Sequence, residues 1–587
     1  MAKTFETRIQ DLVYDIEGGM GLRLLKLGLY MLFVILVLVV YTATQFTSFG
    51  DKEAMEFAQL GRNLSERGTL TTQVVRPSTI RFLIENNKTI EIEESGKHAG
   101  KVGNPPFDDH PDILHPPLYP AAIAGWFKVL GTKFEYLVAG AKHDPERQIV
   151  ALCHIFTVLT GIFVWLLGRS LFDQRVGLLG MTIFFLSDSV WSTSISGLNL
   201  SMAACLVTVA LYFGIMAAAN REKEMAKVWR ITPFVLCALC CLFAVLTSYG
   251  AWIVVPTIAL YFGIRIPDRG WTISLALIAV VLIGMTPWIF RNVNVSGAPF
   301  GIAPSTALVG TGLFPKNSFD RTLALDEKAF QFEVKYKAIR AKFFTNLSRY
   351  YKYDLRSVGD GIFICLFVTT FLYKFVRKDV HQFRWCILLA FFLLFLSAGF
   401  YGDRMMVLTL LFWPVVIIYG LAFYYLLLDR LKLRMQLQRM AVTTLVVLIS
   451  AGPLILTLMP PRKGHPYPPY NQSIVTHITS LLEKNESICS DMPWATAWYG
   501  GRNSLLIPQT LDEFYEINDF MKKISGLYLT TVSRDQPYAR SLMTGPDRSW
   551  FPIHQGRIPR DFPLTQVVPL LNLDQLFITD RNHLEQL

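Results

Sequence analysis

The sequence has little charge for its length. Asp, Glu, Lys and Arg make up 17% of its 587 residues, against about 25% in soluble globular proteins. Hydrophobic residues make up 52%, and many of them come in long runs such as 30–40 and 362–371. Together these features exclude a disordered chain and a soluble enzyme, and they indicate a protein with many membrane spans. The sequence also lacks a Gly-X-Y period, a heptad array and any visible internal repeat, which excludes fibrous and solenoid architectures.

Cysteine is also sparse, and its placement excludes two kinds of small-domain scaffold. The sequence has eight cysteines, and all but Cys489 lie in apolar stretches, which fits neither a disulfide framework nor a zinc pattern. The C-x-x-C spacing of Cys237 and Cys240 lies inside an apolar run, and we interpret these residues as small side chains that pack between helices. The net charge of +11 is scattered over short loops, which does not indicate a nucleic-acid-binding face.

Eleven segments are apolar enough, over roughly 20 residues, to be read as membrane spans. No small-residue cleavage site follows the first, so we interpret it as a retained helix rather than a signal peptide. The predicted spans are 22–46, 148–169, 176–193, 199–219, 231–247, 249–264, 271–290, 359–377, 384–400, 404–427 and 440–459.

The distribution of Lys and Arg over the short loops predicts the orientation. With the N-terminal segment 1–21 in the cytoplasm, nearly all the cations of the short loops lie inside, and the short outer turns hold only Arg404. This bias follows the positive-inside rule. Three large polar segments are then extracytoplasmic: the first outer loop (47–147), the second outer loop (291–358) and the tail (460–587).

The tail is predicted to be a soluble α/β domain. After a proline-rich stretch, strand-like runs at 504–507 and 526–531 alternate with helical patterns at 474–483 and 511–523. About 125 residues are enough for a hydrophobic core of its own.

The first outer loop carries the strongest motifs. Asp51 follows the first span directly, at the N-cap position of an amphipathic stretch over 53–68. Further along comes His115-Pro116-Pro117-Leu118-Tyr119-Pro120, and then an apolar run at 121–130 that is too short for a span. We predict that this run forms an interfacial helix on the outer surface.

These motifs resemble the GT-C glycosyltransferases of the protein-O-mannosyltransferase and aminoarabinose-transferase type. The resemblance includes the Asp just outside the first span, the His-Pro-Pro-Leu-Tyr-Pro motif and the segment 286–299, which is similar to the family's Pro-Trp-x-x-Arg-Asn signature. The turn Asp403-Arg404 ahead of Pro414, and the tail segment 494–508, resemble further parts of the family. The motifs occur in the family's order along most of the chain.

The resemblance implies a GT-C fold for residues 22–459 and an activity. A sugar carried by a polyprenyl phosphate would be transferred, outside the membrane, to a hydroxyl group of a protein, lipid or glycan, with inversion at the anomeric carbon. The architecture looks bacterial, which places the protein in the inner membrane with its C-terminal tail outside. Two alternatives stay open: a transporter or flippase of polyprenyl-linked lipids, and a non-catalytic scaffold derived from the enzyme.

The resemblance makes Asp51 the candidate catalytic base, with a helix cap as the alternative reading. The family often has Asp-Glu here, whereas this chain has Asp51-Lys52-Glu53, so the second acid is displaced by one residue. Glu53 is therefore a candidate assisting carboxylate, and Lys52 a candidate contact for the donor phosphate.

The leaving phosphate calls for cations, and arginine suits it because its guanidinium is always charged and bidentate. Arg404 is the first candidate, with an ion pair to Asp403 as the alternative. Arg291 is the second, with snorkelling at a helix end as the alternative. His115 is a candidate by resemblance, either to bind the phosphate or to order the loop.

No cofactor is expected. Asp108, Asp109 and Asp112 are weak candidates for a divalent cation, because hard cations prefer oxygen ligands. A solvated acidic loop is the alternative reading, and the family type that the motifs match generally uses no metal.

Overall fold

The computed structural model describes most of the chain. The described residues are 20–86, 107–134, 144–315, 318–323, 332–352, 361–402, 408–431, 436–460, 472–534, 542–570 and 575–581. Asp403 and Arg404 lie outside them, as does most of the proline-rich stretch.

The first half of the chain is helical apart from one short strand. Its elements, in chain order, are α1 (Met20–Gln45), α2 (Lys52–Arg67), β1 (Val74–Val75), α3 (Pro77–Asn86), α4 (Leu118–Leu130), α5 (Asp144–Leu171), α6 (Gln174–Leu186), α7 (Asp188–Ile195), α8 (Leu200–Glu222), α9 (Lys227–Thr247), a 3-10 turn (Tyr249–Ile253), α10 (Val254–Arg265) and α11 (Gly270–Ser296).

The second half continues with helices and ends in an α/β region. Its elements are a 3-10 turn (Ala303–Leu308), α12 (Ser318–Arg321), α13 (Phe332–Lys352), α14 (Gly361–Thr370), α15 (Lys378–Tyr401), a 3-10 turn (Leu408–Phe412), α16 (Trp413–Arg430), α17 (Gln436–Leu458), α18 (Gln472–Ser480), β2 (Ser487–Ser490), α19 (Pro493–Gly500), β3 (Asn503–Leu506), α20 (Leu511–Phe520), β4 (Ile524–Leu529), α21 (Thr531–Arg534), a 3-10 turn (Pro546–Trp550), α22 (Phe551–His554), β5 (Gln566–Val568) and β6 (Leu576–Thr579).

Within the described ranges, eight helices are long and apolar enough to cross a membrane. A ninth span is formed if α6 and α7, which meet at a bend of 57°, count as one broken helix. The protein is therefore a multi-pass membrane protein. Two of the eleven predicted spans correspond to shorter apolar helices, at Tyr249–Arg265 and Gly361–Thr370. These helices are too short to be counted as spans by their length, so they stay predictions. The predicted interfacial run forms α4 and is likewise short.

The tail forms the mixed α/β layer that its alternating pattern predicts. The sheet has six strands in the order β1-β3-β2-β4-β6-β5. Strands β1, β3, β2 and β4 are parallel, whereas β6 is antiparallel to both β4 and β5. Parallel strands are buried on both faces, and the side chains of β2 and β4 are all buried accordingly.

The sheet extends beyond the boundary at residue 460. Strand β1 belongs to the first outer loop and pairs in parallel with β3, with Val74 opposite Ser504. Arg62 of α2 adds a second contact between the first outer loop and the tail. Its guanidinium donates to the backbone carbonyl oxygens of Ala497 at 2.8 Å and Trp498 at 2.9 Å. The first outer loop and the tail therefore share one sheet.

The second outer loop also binds the tail through an arginine. Arg321 of α12 is fully buried and donates to the carbonyl oxygens of Ile507 and Pro508, each at 2.9 Å. The same guanidinium forms an ion pair with Asp547 at 2.6 Å. Because a buried cation needs such partners, this contact fixes the second outer loop against the carboxyl end of β3.

Candidate functional site

Asp51 precedes α2 as its N-cap and is separated from the end of the first membrane helix by the short segment 46–50. Its backbone is extended, and its side chain accepts a hydrogen bond of 2.8 Å from the backbone N–H of Glu53, so the predicted N-cap is confirmed. The side chain is exposed. Gly68 ends the helix in the left-handed conformation, with φ of 73°, which glycine adopts without steric cost. A role as N-cap does not exclude chemistry at Asp51.

The two residues that follow Asp51 occupy the first turn of α2. Glu53 is half-buried, and a carboxylate in this turn is favoured by the helix dipole. The ammonium group of Lys52 lies 5.5 Å from the ring centre of Trp494, at the start of α19 in the tail. Lys52 therefore faces the tail.

One turn further along α2, Glu56 joins a buried ionic network that sequence reasoning missed. Its side chain is 2% exposed and forms ion pairs with Arg76, which follows β1, and with His115 Nε2 at 3.3 Å. His115 Nδ1 lies 3.0 Å from a carboxylate oxygen of Asp112, whose other oxygen accepts the His115 backbone N–H at 3.1 Å. The network joins α2, the end of β1 and the His-Pro-Pro loop.

The charges of this network reinforce one another. Burial alone would raise the pKa of Glu56, but Arg76, His115 and Lys52 outweigh it and hold that pKa below its ordinary value. Burial would likewise raise the pKa of Asp112, and the neighbouring His115 and Arg291 lower it instead. Burial would lower the pKa of His115, yet the carboxylates of Asp112 and Glu56 raise it. The raised pKa favours the protonated form of His115, whose ring lies between the two carboxylates.

This arrangement predicts a pH dependence of stability. A raised pKa in the folded state stabilises the protein fully below the unfolded value, here 6.5, and this contribution is lost as the pH rises through the folded pKa. We expect His115→Asn to destabilise the protein most near pH 6 and less above the folded pKa of His115. Thermal unfolding of both proteins in detergent across this range measures the difference, and a constant difference would contradict a charged His115.

Arg291, near the end of α11, contacts two segments of the first outer loop, at Leu70 and at Asp112. Its guanidinium donates to the carbonyl oxygens of Asp112 and, at 3.3 Å, of Leu70, and it lies 5.0 Å from the ring centre of Trp288. The side chain is half-buried. The structure thus brings Arg291 beside Asp112 and His115. Arg404 falls outside the described residues, so its place relative to them stays a prediction.

The three metal candidates have separate partners. Asp108 binds Lys522 at 2.6 Å and Asn503 at 2.8 Å, Asp109 binds Arg67 at 3.1 Å, and Asp112 binds His115. Within the part of the chain that the structure describes, no group of three His, Cys, Asp or Glu side chains is arranged to hold a metal ion. The structure therefore does not bring Asp108, Asp109 and Asp112 together at one site.

A second buried carboxylate, Glu146 in the first turn of α5, was also missed. It is 1% exposed and accepts hydrogen bonds from Trp498 Nε1 at 3.1 Å, the Tyr499 hydroxyl at 2.6 Å and Gln472 at 3.2 Å. The backbone N–H of Phe49 donates to it as well. Glu146 therefore connects the tail to the segment around Phe49. Asp51 lies two residues after Phe49 in the same segment.

We expect Glu146→Ala to destabilise the protein by about 1–3 kcal/mol, because it leaves buried donors of the tail without an acceptor. The isosteric Glu146→Gln should cost less, since its amide oxygen still accepts. Thermal unfolding and limited proteolysis of the tail measure both variants. Equal stability of Glu146→Ala and the wild type would show that water replaces the carboxylate.

The signals for these missed residues differ in strength. Glu56 lies between Ala54-Met55 and Phe57-Ala58, and a lone carboxylate within such an apolar helical run is a signal for a buried ion pair. Arg76 follows Val74-Val75, and Glu146 stands between Pro145 and Arg147. Only the fold shows that they are buried.

Comparison with solved structures places the whole chain among known folds. One similar structure is ArnT from Cupriavidus metallidurans bound to undecaprenyl phosphate, with a TM-score of 0.54 and 11% identity over 94% of this chain and 98% of that chain. The chain has the GT-C fold. Another is the oligosaccharyltransferase of Archaeoglobus fulgidus in complex with Zn and sulfate, with a TM-score of 0.54 and 12% identity over 87% of this chain and 69% of that chain.

A third GT-C structure is the archaeal oligosaccharyltransferase AglB from Archaeoglobus fulgidus with an inhibitory peptide and a dolichol-phosphate. It has a TM-score of 0.53 and 11% identity over 87% of this chain and 71% of that chain. No family model and no curated protein matches the sequence. The sequence resemblance to GT-C proteins is therefore confirmed at the level of the fold.

Proposed function

We propose that this protein is a membrane glycosyltransferase that moves a sugar from a polyprenyl-phosphate donor to a hydroxyl group of a protein, lipid or glycan, on the extracytoplasmic face and with inversion. One observation carries the proposal. The GT-C fold extends over 94% of the chain in the comparison with ArnT, whose structure holds undecaprenyl phosphate, and Asp51 stands shortly after the first membrane helix, where the family motif has its catalytic Asp.

Asp51 is the proposed base. The acceptor hydroxyl gives its proton to the Asp51 carboxylate while its oxygen forms a bond to the anomeric carbon. The bond from that carbon to the phosphate oxygen breaks, and its electron pair leaves with the polyprenyl phosphate. An exposed carboxylate suits this step, because the group must reach a proton within about 3 Å. Glu53, half-buried in the same turn, is the proposed assisting carboxylate.

The leaving phosphate is proposed to bind Arg291 and Arg404. The guanidinium of Arg291 carries five N–H donors, and the carbonyl oxygens of Asp112 and Leu70 and the amide oxygen of Asn292 accept from two of its nitrogens. Its further donors are suited to a phosphate. The carbonyl bonds fix its position beforehand, which lowers the cost of reorganisation during the reaction.

Lys52 stays a proposed contact for the donor phosphate, whereas His115 is proposed to order the loop. His115 is buried between Asp112 and Glu56, so its contacts favour the loop-ordering alternative over phosphate binding. Lys52 lies over Trp494 and faces the tail. No step of the proposed reaction requires a metal ion.

Reconstitution tests the proposal. Purified full-length protein in liposomes would receive undecaprenyl-phosphate donors that carry different sugars, with an acceptor-rich lysate, and mass spectrometry would follow release of the sugar. Consumption of one donor with a transferred product supports the proposal and identifies the sugar. Movement of the donor between leaflets without cleavage would favour a flippase, and binding without either process would favour a scaffold.

A further inference from the structure

A cavity lies between α14 and α16, at the end of both helices that the loop charges predict to be cytoplasmic. Its walls include Leu372, Tyr373, Phe423, Leu426, Leu427 and Arg430. It encloses about 190 Å³. Pockets for small molecules typically measure roughly 300–1,000 Å³, so this cavity suits part of a long chain better than a whole compact ligand. The proposed reaction, on the extracytoplasmic face, does not use it.

The spacing of the residues in α16 forms one wall of the cavity. The four that line it are Phe423, Leu426, Leu427 and Arg430. Positions three, four and seven residues apart lie on one face of a helix. One turn earlier, Gly420 allows α14 and α16 to meet, because a Cβ atom there would lie 3.1 Å from the ring of Phe363. The cavity begins beyond this close contact.

The cavity opens to the apolar surface of the protein. Leu372, in the turn after α14, is 89% exposed, and Leu427 is 40% exposed. Exposed leucines at the level of membrane helices face lipid, whose tails are as apolar as leucine. Acyl chains therefore have access to the cavity from the bilayer.

Arg430 gives this apolar cavity one charged end. Its guanidinium is exposed and lies 5.9 Å from the ring centre of Tyr373. The adjacent carboxylate of Asp429 pairs with Arg439 at 3.1 Å, and the exposed Lys374 follows Tyr373 in the chain. Among the described residues that line the cavity, none is a carboxylate. Basic pockets between membrane helices on the cytoplasmic side are typical binding sites for anionic lipid headgroups.

We propose that the cavity between α14 and α16 binds an anionic phospholipid of the cytoplasmic leaflet. The lipid phosphate meets the guanidinium of Arg430, and one acyl chain lies along Phe423, Leu426 and Leu427. The ammonium of a zwitterionic headgroup would find no carboxylate in the described lining, which favours a lipid with a net negative charge. The proposal concerns lipid binding alone and does not depend on glycosyl transfer.

Two variants of the full-length protein test the two parts of the site. Arg430→Gln removes the cation, and Leu427→Trp fills the cavity; both positions are exposed, so both variants should fold. The matched control is Arg269→Gln, which removes an exposed arginine from another loop that is predicted to be cytoplasmic. Each protein in detergent is titrated with phosphatidylglycerol and, separately, with phosphatidylcholine. Native mass spectrometry measures the affinity for the most tightly bound lipid.

We expect Arg430→Gln to weaken the binding of phosphatidylglycerol relative to phosphatidylcholine by about fivefold, the factor that one cation near an anionic surface contributes. Leu427→Trp should weaken phosphatidylglycerol binding as well, and Arg269→Gln should bind both lipids like the wild type. An equal loss for both lipids in Arg430→Gln, or an equal loss in Arg269→Gln, would overturn the proposal. Unchanged phosphatidylglycerol binding in Arg430→Gln or in Leu427→Trp would overturn it too, because the lipid would then bind elsewhere.

Discussion

Asp51→Asn should lower the turnover of the lipid-linked sugar by about 10²–10⁴-fold while donor binding stays unchanged. The amide cannot take the proton of the acceptor hydroxyl. Asn is as good an N-cap as Asp, so the hydrogen bond to the Glu53 N–H and the start of α2 should persist. Turnover by mass spectrometry and donor binding by native mass spectrometry, both on reconstituted protein, measure the two quantities separately.

Asp173 offers a matched control for this variant. It caps α6 in the same way, since its side chain accepts from the Val176 N–H at 2.8 Å, but the loop charges predict it to lie on the cytoplasmic side. Asp173→Asn should leave turnover unchanged. If Asp51→Asn turns over as fast as the wild type, Asp51 is a cap only and the base lies elsewhere; if both variants lose activity alike, the loss comes from helix capping.

Arg76→Met should destabilise the protein by about 3–5 kcal/mol, because it leaves the carboxylate of Glu56 buried without its main cation. Arg76 is 7% exposed and Glu56 is 2% exposed, so solvent cannot compensate. The change removes charge while keeping an unbranched side chain. Thermal and chemical unfolding in detergent measure the effect.

The double variant Glu56→Gln with Arg76→Met separates the buried charge from lost packing. We expect it to recover a large part of the stability, since it removes the uncompensated charge. In Arg76→Met alone, the loss of stability should become smaller as the pH falls, because Glu56 then becomes protonated. In the wild type the pKa of Glu56 is held low mainly by Arg76. A double variant no more stable than Arg76→Met would show that packing, rather than charge, causes the loss.

Local patterns predicted much of the fold. The amphipathic spacing after Asp51 gave α2 with its cap, and the strand-like runs of the tail became β3 and β4 within a few residues. Two of the eleven predicted spans form shorter apolar helices, at Tyr249–Arg265 and Gly361–Thr370, so the count of eleven stays a prediction. Hydropathy reports the composition of a segment, whereas the length of a helix also depends on where the chain bends.

The site was predicted less completely. Motif positions made Asp51, Arg291 and His115 candidates, and the structure brings the last two together around Asp112. The partners Glu56 and Arg76 were not predicted, because their ion pair joins α2 to the end of β1, which are separate parts of the first outer loop. The sequence alone does not show that both side chains are buried.

By itself, the sequence determined that this is a multi-pass membrane protein of GT-C type with Asp51 at the end of its first membrane helix. The membrane class follows from composition, and the GT-C type follows from the resemblance of short motifs to that family; each segment carries such features independently of the rest. Only the tertiary structure decided that the first outer loop and the tail share one sheet, that His115 is buried between two carboxylates, and that Glu146 ties the tail to the segment before Asp51. The physical reason is that these contacts join residues far apart in the chain, and burial of charge is set by what packs over it rather than by its neighbours in sequence.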